Sequence, residues 1–220
     1  MFISFSAIAQ KSPEGRGIHR DAVSSGAWRI AFGGGGVFRL GGCAKEKDAG
    51  LDKFARKFSR GFGIDGDIQY FFKEKWGLGI NANYVRMHSS DRYAPVPKLG
   101  GLGNITETQD VFYIGPAFVS RLDTEKFLLV GSCGAGIFRF VDKMRVEAIS
   151  IREAKFAVGL NLGISGEYKV TESSGLGLKL SYTLGSVSSN RLQPVLNDEV
   201  KRFISSNLMI TAFYSLRLWN

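Results

Sequence analysis

Apolar residues alternate with small or polar residues at a period of two along eight segments of the chain. The seventh segment is the clearest example, and one of its faces carries Leu176, Leu178, Leu180, Tyr182 and Leu184. The opposite face carries Gly177, Lys179, Ser181, Thr183 and Gly185. Because successive side chains of a strand point to opposite sides, each segment is predicted to be a β-strand with one apolar face.

The apolar faces of the other segments follow the same rule. The apolar face consists of Trp28, Ile30, Phe32 and Phe38 in the first segment, of Phe62, Ile64, Ile68 and Tyr70 in the second, and of Leu78, Ile80, Ala82 and Tyr84 in the third. In the sixth segment it consists of Phe156, Val158, Leu160, Leu162 and Ile164, and in the eighth of Leu208, Ile210, Tyr214, Leu216 and Leu218. The fourth and fifth segments, 111–121 and 127–141, are apolar on both faces, so their facing stays open.

The opposite faces are dominated by Gly, Ala, Ser and Asn. In a soluble β-sandwich this face is in water and rich in Lys, Glu and Thr. Small residues instead suit the interior of a narrow closed barrel, which side chains just fill. We therefore predict an all-β, eight-stranded antiparallel up-and-down transmembrane barrel.

The predicted strands are joined by links that alternate between short and long. Short links fall at 73–75, 122–126 and 171–174, and long links at 41–60, 89–109, 142–154 and 186–202. Transmembrane barrels place short turns in the periplasm and long loops outside. The pattern predicts four long extracellular loops between strands of about 10 to 14 residues, enough to cross a bilayer when tilted.

Aromatic residues fall near both predicted rims of the barrel, where amphipathic rings prefer the headgroup level. Near the periplasmic rim are Trp28, Tyr70, Phe72, Trp76, Tyr168 and Trp219. Near the outer rim are Phe38, Phe62, Tyr84, Phe112 and Tyr182. We expect these residues to form two membrane-interface girdles.

The N-terminal segment differs from the strands. Residues 1–10 (MFISFSAIAQ) have the apolar core and small-residue end of an export signal and are interpreted as its remnant. Residues 11–26 then form a periplasmic segment, and the barrel covers 27–220. A signal ending in Ala-Gln resembles those of Bacteroidetes exported proteins.

Two further stretches carry a family resemblance. These are Tyr113-Ile114-Gly115-Pro116 and the last strand, which ends Leu216-Arg217-Leu218-Trp219-Asn220. With the alternating strands they resemble the small outer-membrane β-barrel superfamily of OmpA and OmpX type over 27–220. The resemblance implies a bacterial outer-membrane location and insertion by the barrel-assembly machinery. Family members usually end on an aromatic residue, whereas Trp219 is penultimate here.

The net charge of +9 changes the choice of partners. No nucleic-acid-binding motif accompanies the basic balance, so no nucleic acid is expected. For an outer-membrane barrel, the expected partners are the outer-membrane lipids and the anionic sugar-phosphate layer of lipopolysaccharide. Cys43 and Cys133 have no metal spacing and are expected to be free thiols. No metal or cofactor is predicted.

Charged residues on the lumen face must pair or stay hydrated, because burying an unpaired ion costs several kcal/mol. They are Arg29, Arg39, Asp65, Asp67, Glu167, Lys179 and Arg217. We predict an internal ion-pair plug, with an ion or proton pathway through a narrow pore as the alternative. Residues 51–58 form a basic amphipathic helix pattern that fits either the lipid surface or the barrel mouth.

An enzymatic alternative centres on His88 and Ser90, which share the lipid face of the third strand. Such a pair resembles the barrel lipid A deacylases, in which His activates Ser and a carboxylate orients the imidazole. Here Glu107 is the candidate orienter, since Asp91 alternates to the other face. We predict that the protein is not an enzyme. Its expected role is structural, adhesive or surface-recognising, through four long loops whose ligand the sequence leaves open.

Overall fold

The computed structural model describes residues 26–40, 60–96, 101–146, 149–188 and 202–218. No helix in these ranges is long and apolar enough to cross a bilayer. The described chain forms eight strands: β1 (Ala27–Arg39), β2 (Arg60–Phe71), β3 (Trp76–Val96), β4 (Gly101–Asp123), β5 (Phe127–Val146), β6 (Ile149–Lys169), β7 (Ser174–Ser188) and β8 (Arg202–Leu218).

Each strand pairs antiparallel with the next, and β8 pairs with β1 to close the barrel. The closing ladder runs over twelve residue pairs, from Trp28 opposite Leu218 to Arg39 opposite Asn207. Closure pairs the edge strands that would otherwise expose backbone hydrogen-bonding groups. The predicted eight-stranded antiparallel barrel is confirmed.

The three short links are also confirmed. They occupy 72–75, 124–126 and 170–173, all at the same end of the barrel. Side-chain oxygens close two of them: the Phe127 amide donates to Thr124 Oγ1 at 3.1 Å, and the Ser174 amide donates to Thr171 Oγ1 at 3.0 Å. These bonds satisfy backbone groups that a tight turn leaves unpaired.

Two of the four predicted loops are wrong, because most of their residues are strand. The strands β3 to β6 contain 20 to 23 residues, and only 97–100 and 147–148 separate their outer ends. Above the bilayer no lipid selects apolar side chains, so alternation stops while backbone pairing continues. The other two predicted loops, with the helix pattern at 51–58, lie mainly outside the described residues.

Apolar side chains cover the outside of the barrel. Phe32, Leu178 and Val158 are 63%, 64% and 78% exposed, values that a water-soluble protein avoids across a whole surface. The face assignments predicted for six strands are confirmed. The structure also shows which faces of β4 and β5 point into the lumen: Tyr113 and Phe138 point inward, and their sequence neighbours point outward.

We call the outward apolar surface the apolar belt. Its periplasmic edge is marked by Trp28, Tyr70, Trp76 and Tyr168, and its outer edge by Phe38, Phe62, Tyr84, Phe112 and Phe156. Inside, two apolar clusters fill the lumen. The periplasmic one contains Phe71, Ala117, Val119, Leu128 and Val130. The outer one contains Val37, Val85, Met87, Val111, Phe138, Phe140 and Met209.

Candidate functional site

A buried triad of charges occupies the periplasmic half of the lumen. Arg29 on β1 donates from Nε to Glu167 Oε2 at 3.0 Å, and Arg217 on β8 donates from Nη1 to Glu167 Oε1 at 2.9 Å. All three side chains are 2% exposed or less. Arg29 also donates to Gln69 Oε1 at 3.0 Å and lies 5.2 Å from the Phe213 ring centre. The Glu167 carboxylate therefore accepts hydrogen bonds from two guanidinium groups. Such charge-assisted hydrogen bonds between arginine and a carboxylate are stronger than neutral ones.

Arg217 joins this triad to the periplasmic end of the barrel. Its Nη2 donates to the carbonyls of Thr171 and Ser174 at 2.7 and 2.8 Å, and its Nε donates to the Glu172 carbonyl at 3.1 Å. The last strand is thereby attached to the turn between β6 and β7. This turn contact was not foreseen, because no pattern in the sequence indicates which carbonyls converge on Arg217.

A second buried triad has the opposite charge balance. Lys179 Nζ on β7 lies 2.6 Å from Asp65 Oδ1 and 2.7 Å from Asp67 Oδ2, both on β2. This triad has one carboxylate in excess, and the first has one cation in excess. The six ions together are neutral, which limits the desolvation cost of burying them.

A layer of amides and hydroxyls also crosses the lumen. Asn81 Nδ2 donates to Asn161 Oδ1 and to Ser132 Oγ, both at 3.2 Å, and Asn161 Nδ2 donates to Thr183 Oγ1 at 2.9 Å. Asn83 Nδ2 donates to the same threonine oxygen at 3.2 Å. The inward facing of the two β3 asparagines was predicted, but their partners on β5, β6 and β7 were not.

Of the seven predicted lumen ions, Arg39 lies apart from both triads. It sits at the outer end of β1, where its Nη1 donates to Gln109 Oε1 at 2.9 Å. Sequence reasoning also missed the buried Arg121, whose guanidinium lies 4.4 Å from the Phe71 ring centre and donates to the Glu74 carbonyl. Its inward facing was hidden because β4 is apolar on both faces.

The predicted interface aromatics lie on the outward face at the two edges of the apolar belt. At the periplasmic edge, Trp28 and Tyr70 rings lie 4.9 Å apart, and Tyr168 lies 5.5 Å from Phe127. Trp76 lies 5.1 Å from Phe118. Tyr84 and Tyr182 are half-buried near the outer edge. Trp219 lies outside the described residues.

The structure does not bring together the three residues of the alternative hydrolase site. His88 and Ser90 do share the outward face, as expected, but His88 Nδ1 lies 2.9 Å from Thr108 Oγ1. Glu107 stands opposite the inward-facing Ser89, so it lies on the other side of the wall from the imidazole. It accepts a hydrogen bond from Gln109 Nε2 at 3.1 Å. Glu107 is therefore in no position to orient His88.

An ion cluster that the sequence did not indicate lies just above the outer edge of the apolar belt. Asp110 Oδ1 accepts hydrogen bonds from Tyr84 at 2.8 Å and from Arg86 Nε at 3.0 Å, and Oδ2 accepts one from Lys143 Nζ at 3.1 Å. Burial alone would raise the pKa of Asp110. The hydrogen bonds from Tyr84 and Lys143 and the nearby cations outweigh burial and hold this pKa below its usual value.

Among the described residues, no group of three or more His, Cys, Asp or Glu side chains is placed to hold a metal ion. Cys133 is a free, outward-facing thiol on β5, and Cys43 lies outside the described ranges.

Comparison with known proteins adds the fold class. No protein-family model and no curated protein matches the chain. Among solved structures, the outer membrane protein OprG from Pseudomonas aeruginosa is 12% identical, with a TM-score of 0.50 over 91% of this chain and 99% of that one.

Two other solved structures have lower TM-scores. Ail of Yersinia pestis, solved with the heparin analogue sucrose octasulfate, is 14% identical with a TM-score of 0.48, over 88% of this chain and all of that one. The outer membrane protease OmpT from Escherichia coli is 9% identical with a TM-score of 0.47, over 88% and 97%. At these identities the likeness shows the fold alone.

The fold is that of the small eight-stranded outer-membrane β-barrels. A closed barrel whose outer wall is apolar between two aromatic rows is stable with that wall in lipid. Together, the fold and the belt place the chain in the bacterial outer membrane.

Proposed function

We propose that the protein is a rigid surface-recognition barrel, adhesive or structural in role, that uses one extended wall above the membrane to contact its partner. The observation that carries this proposal is the unequal length of the strands. The four adjacent strands β3 to β6 continue well past the apolar belt, whereas β1 and β2 have only 13 and 12 residues.

We call this wall the extracellular sheet and define it as Met87–Val96, Gly101–Asp110, 141–146 and 149–154. On β3 it adds ten residues beyond Arg86, about 33 Å of strand at roughly 3.3 Å per residue. The ladders between β3 and β4, β4 and β5, and β5 and β6 all continue into it. A paired sheet of this kind presents side chains more rigidly than four loops would, which lowers the entropic cost of binding.

The two sides of the extracellular sheet also support recognition. Within the described residues, β6 pairs with β7 only from Gly159 onward and β3 pairs with β2 only up to Met87. Exposed strand edges accept an added strand from a partner, and side chains on alternate positions then select its sequence. The β3 edge beyond Met87 and the β6 edge before Phe156 lie above the apolar belt, where a protein partner has access.

The outer-membrane location also suggests which molecules surround the barrel. Outer-membrane lipids cover the apolar belt, lipopolysaccharide surrounds the outer rim, and the barrel-assembly machinery inserts the chain. The two luminal triads, whose opposite net charges cancel, and the two apolar clusters serve to keep the barrel closed and rigid. The role in recognition is thus assigned to the extracellular sheet and not to the lumen.

Shortening the extracellular sheet tests this function. One variant replaces 91–105 with an Asn-Gly turn between the opposed Ser90 and Thr106, and 145–150 with the same turn between the opposed Met144 and Ile151. Cells displaying the wild-type barrel and cells displaying the shortened variant are compared for attachment to immobilised matrix proteins and anionic polysaccharides. We expect attachment to fall at least tenfold, with heat-modifiable migration of the barrel unchanged. Equal attachment by a folded, shortened barrel would contradict the proposal.

A further inference from the structure

The outward wall of β3 to β6 carries a cluster of positive charge at the level of the lipid headgroups. From the row of Tyr84, Phe112 and Phe156 upward, the described outward positions hold five cations: Arg86, Arg139, Lys143, Arg145 and Arg152. The same positions hold one carboxylate, Asp110. The wall therefore keeps an excess of cations after its internal ion pairs are formed.

Three of these cations are held close to the edge of the apolar belt. Arg86 and Lys143 both contact Asp110, yet their side chains remain 56% and 41% exposed. Arg139 lies over the Phe156 ring, with its guanidinium carbon 5.5 Å from the ring centre. The Asp110 bond uses one of the five N–H donors of Arg86 and one of the three of Lys143, so donors remain for an anion.

An apolar groove lies below these cations on the same wall. Small outward side chains at Pro116, Cys133 and Ala135 stand between the larger Leu78, Phe118 and Leu160 and leave a cavity of about 450 Å³. Ala135 and Arg139 face the same side of β5, four residues apart, which is about 13 Å of strand. One leaflet of a bilayer core is about 15 Å deep, so the groove lies at the depth of an acyl chain whose headgroup reaches Arg139.

We propose that this wall binds one molecule of a phosphorylated outer-leaflet glycolipid. A phosphate group is bound by Arg86, Arg139 and Lys143, and one acyl chain occupies the groove at Pro116, Cys133 and Ala135. Charge complementarity selects an anionic headgroup, and the groove below it selects a lipid over a free anion. The inference rests on the outer-membrane placement but not on recognition by the extracellular sheet.

The headgroup half of the site is tested by native mass spectrometry of the purified barrel with added lipid A. The variant is Arg86→Gln, Arg139→Gln, Lys143→Gln. Its matched control removes three exposed cations at the periplasmic turns, through Lys73→Gln, Lys75→Gln and Lys126→Gln. Each cation near a lipid surface contributes about fivefold in affinity, so the outer variant is expected to bind about a hundredfold more weakly. The control is expected to bind like the wild type.

Equal binding by the two triple variants, with both barrels heat-modifiable, overturns the headgroup assignment. If the outer triple variant does not fold, the single Arg139→Gln change answers the same question with a smaller expected loss. Displacement of lipid A by millimolar inorganic phosphate would show a simple anion patch and also overturns the proposal. Dimers of the barrel in place of lipid adducts would assign the wall to a second copy of the chain.

The acyl half is tested at Cys133, which lies in the groove. In a Cys43→Ser background, the rate of Cys133 modification by methyl methanethiosulfonate is measured with lipid A and with its fully deacylated form. Lipid A is expected to slow the reaction at least fivefold, and the deacylated form to leave it unchanged. Equal rates would overturn occupancy of the groove. Lipid A binding by the barrel with the shortened extracellular sheet separates this proposal from the recognition function, because that variant retains both halves of the site.

Discussion

Arg29 on β1 and Glu167 on β6 lie 138 residues apart in the chain, and their side chains meet inside the barrel at 3.0 Å. Arg217 on β8 binds the other oxygen of the same carboxylate. Three strands are therefore connected at one point in the lumen. Replacing this carboxylate leaves two buried cations without a counterion.

We expect Glu167→Gln to destabilise the barrel by about 3–5 kcal/mol, the cost of leaving a buried charge uncompensated. Equilibrium unfolding by urea in lipid vesicles measures the change. Glu125→Gln, at an exposed position in the turn between β4 and β5, is the matched control and should be close to neutral. A Glu167→Gln effect no larger than that of the control would contradict the buried triad.

The Lys179 triad makes a complementary prediction. Lys179→Met leaves Asp65 and Asp67 facing each other without their cation and should also cost about 3–5 kcal/mol. Adding Asp65→Asn and Asp67→Asn removes the repulsion, so the triple variant should recover most of the loss. Unfolding of all three proteins in the same vesicles provides the comparison. A triple variant less stable than the single one would show that the carboxylates have another role.

Packing of Phe138 against Gly185 predicts a steric effect. A Cβ added at Gly185 would lie 2.6 Å from Cγ of the Phe138 ring, too close for any side chain. Gly185→Val is expected to destabilise the barrel by about 1–3 kcal/mol through overpacking, and Phe138→Leu should relieve part of it. Gly166→Val on the outward face of β6 is the control, because nothing lies within 4 Å of a Cβ there. Equal effects of the two valines would refute the packing argument.

The Asp110 cluster predicts a pH dependence just above the apolar belt. Because its pKa is lower in the folded barrel, Asp110 stabilises the extracellular ends of β3 to β5 above its unfolded pKa, near 4. That contribution is lost as pH falls through the folded pKa. We expect cleavage of the extracellular sheet by pepsin to rise as the pH falls below about 4, and this rise to be smaller in Asp110→Asn. An identical pH profile in the variant would contradict this prediction.

The hydrolase alternative predicts a chemical product. We expect purified barrel incubated with lipopolysaccharide to release no 3-hydroxy acyl chains, because His88 contacts Thr108 and Glu107 faces the other side of the wall. The assay needs a lipid A deacylase as its positive control. Release that disappears in both His88→Ala and Ser90→Ala would restore the enzymatic reading.

Alternation at a period of two was sufficient to predict eight strands, the outward faces of six of them and the three short turns. The reason is that side chains facing the bilayer core must be apolar, and this requirement applies to each residue of a strand by itself. It therefore appears in the local sequence pattern. Lys179 and Glu167 were assigned to the lumen by the same rule. The rule failed at Arg121, because β4 has apolar residues inside as well as outside.

Only the tertiary structure decided which luminal charges meet. Lys179 forms its ion pairs with Asp65 and Asp67 and not with Glu167. The reason is that barrel closure and strand stagger determine which strands face each other across the lumen. The tertiary structure also showed that 89–96 and 101–109 are strand. Above the bilayer, pairing depends on the neighbouring strand and requires no alternation of apolar residues in the sequence. The cations on the outward wall of β3 to β6 and the apolar groove below them follow from that same register, which brings residues of four strands into one surface.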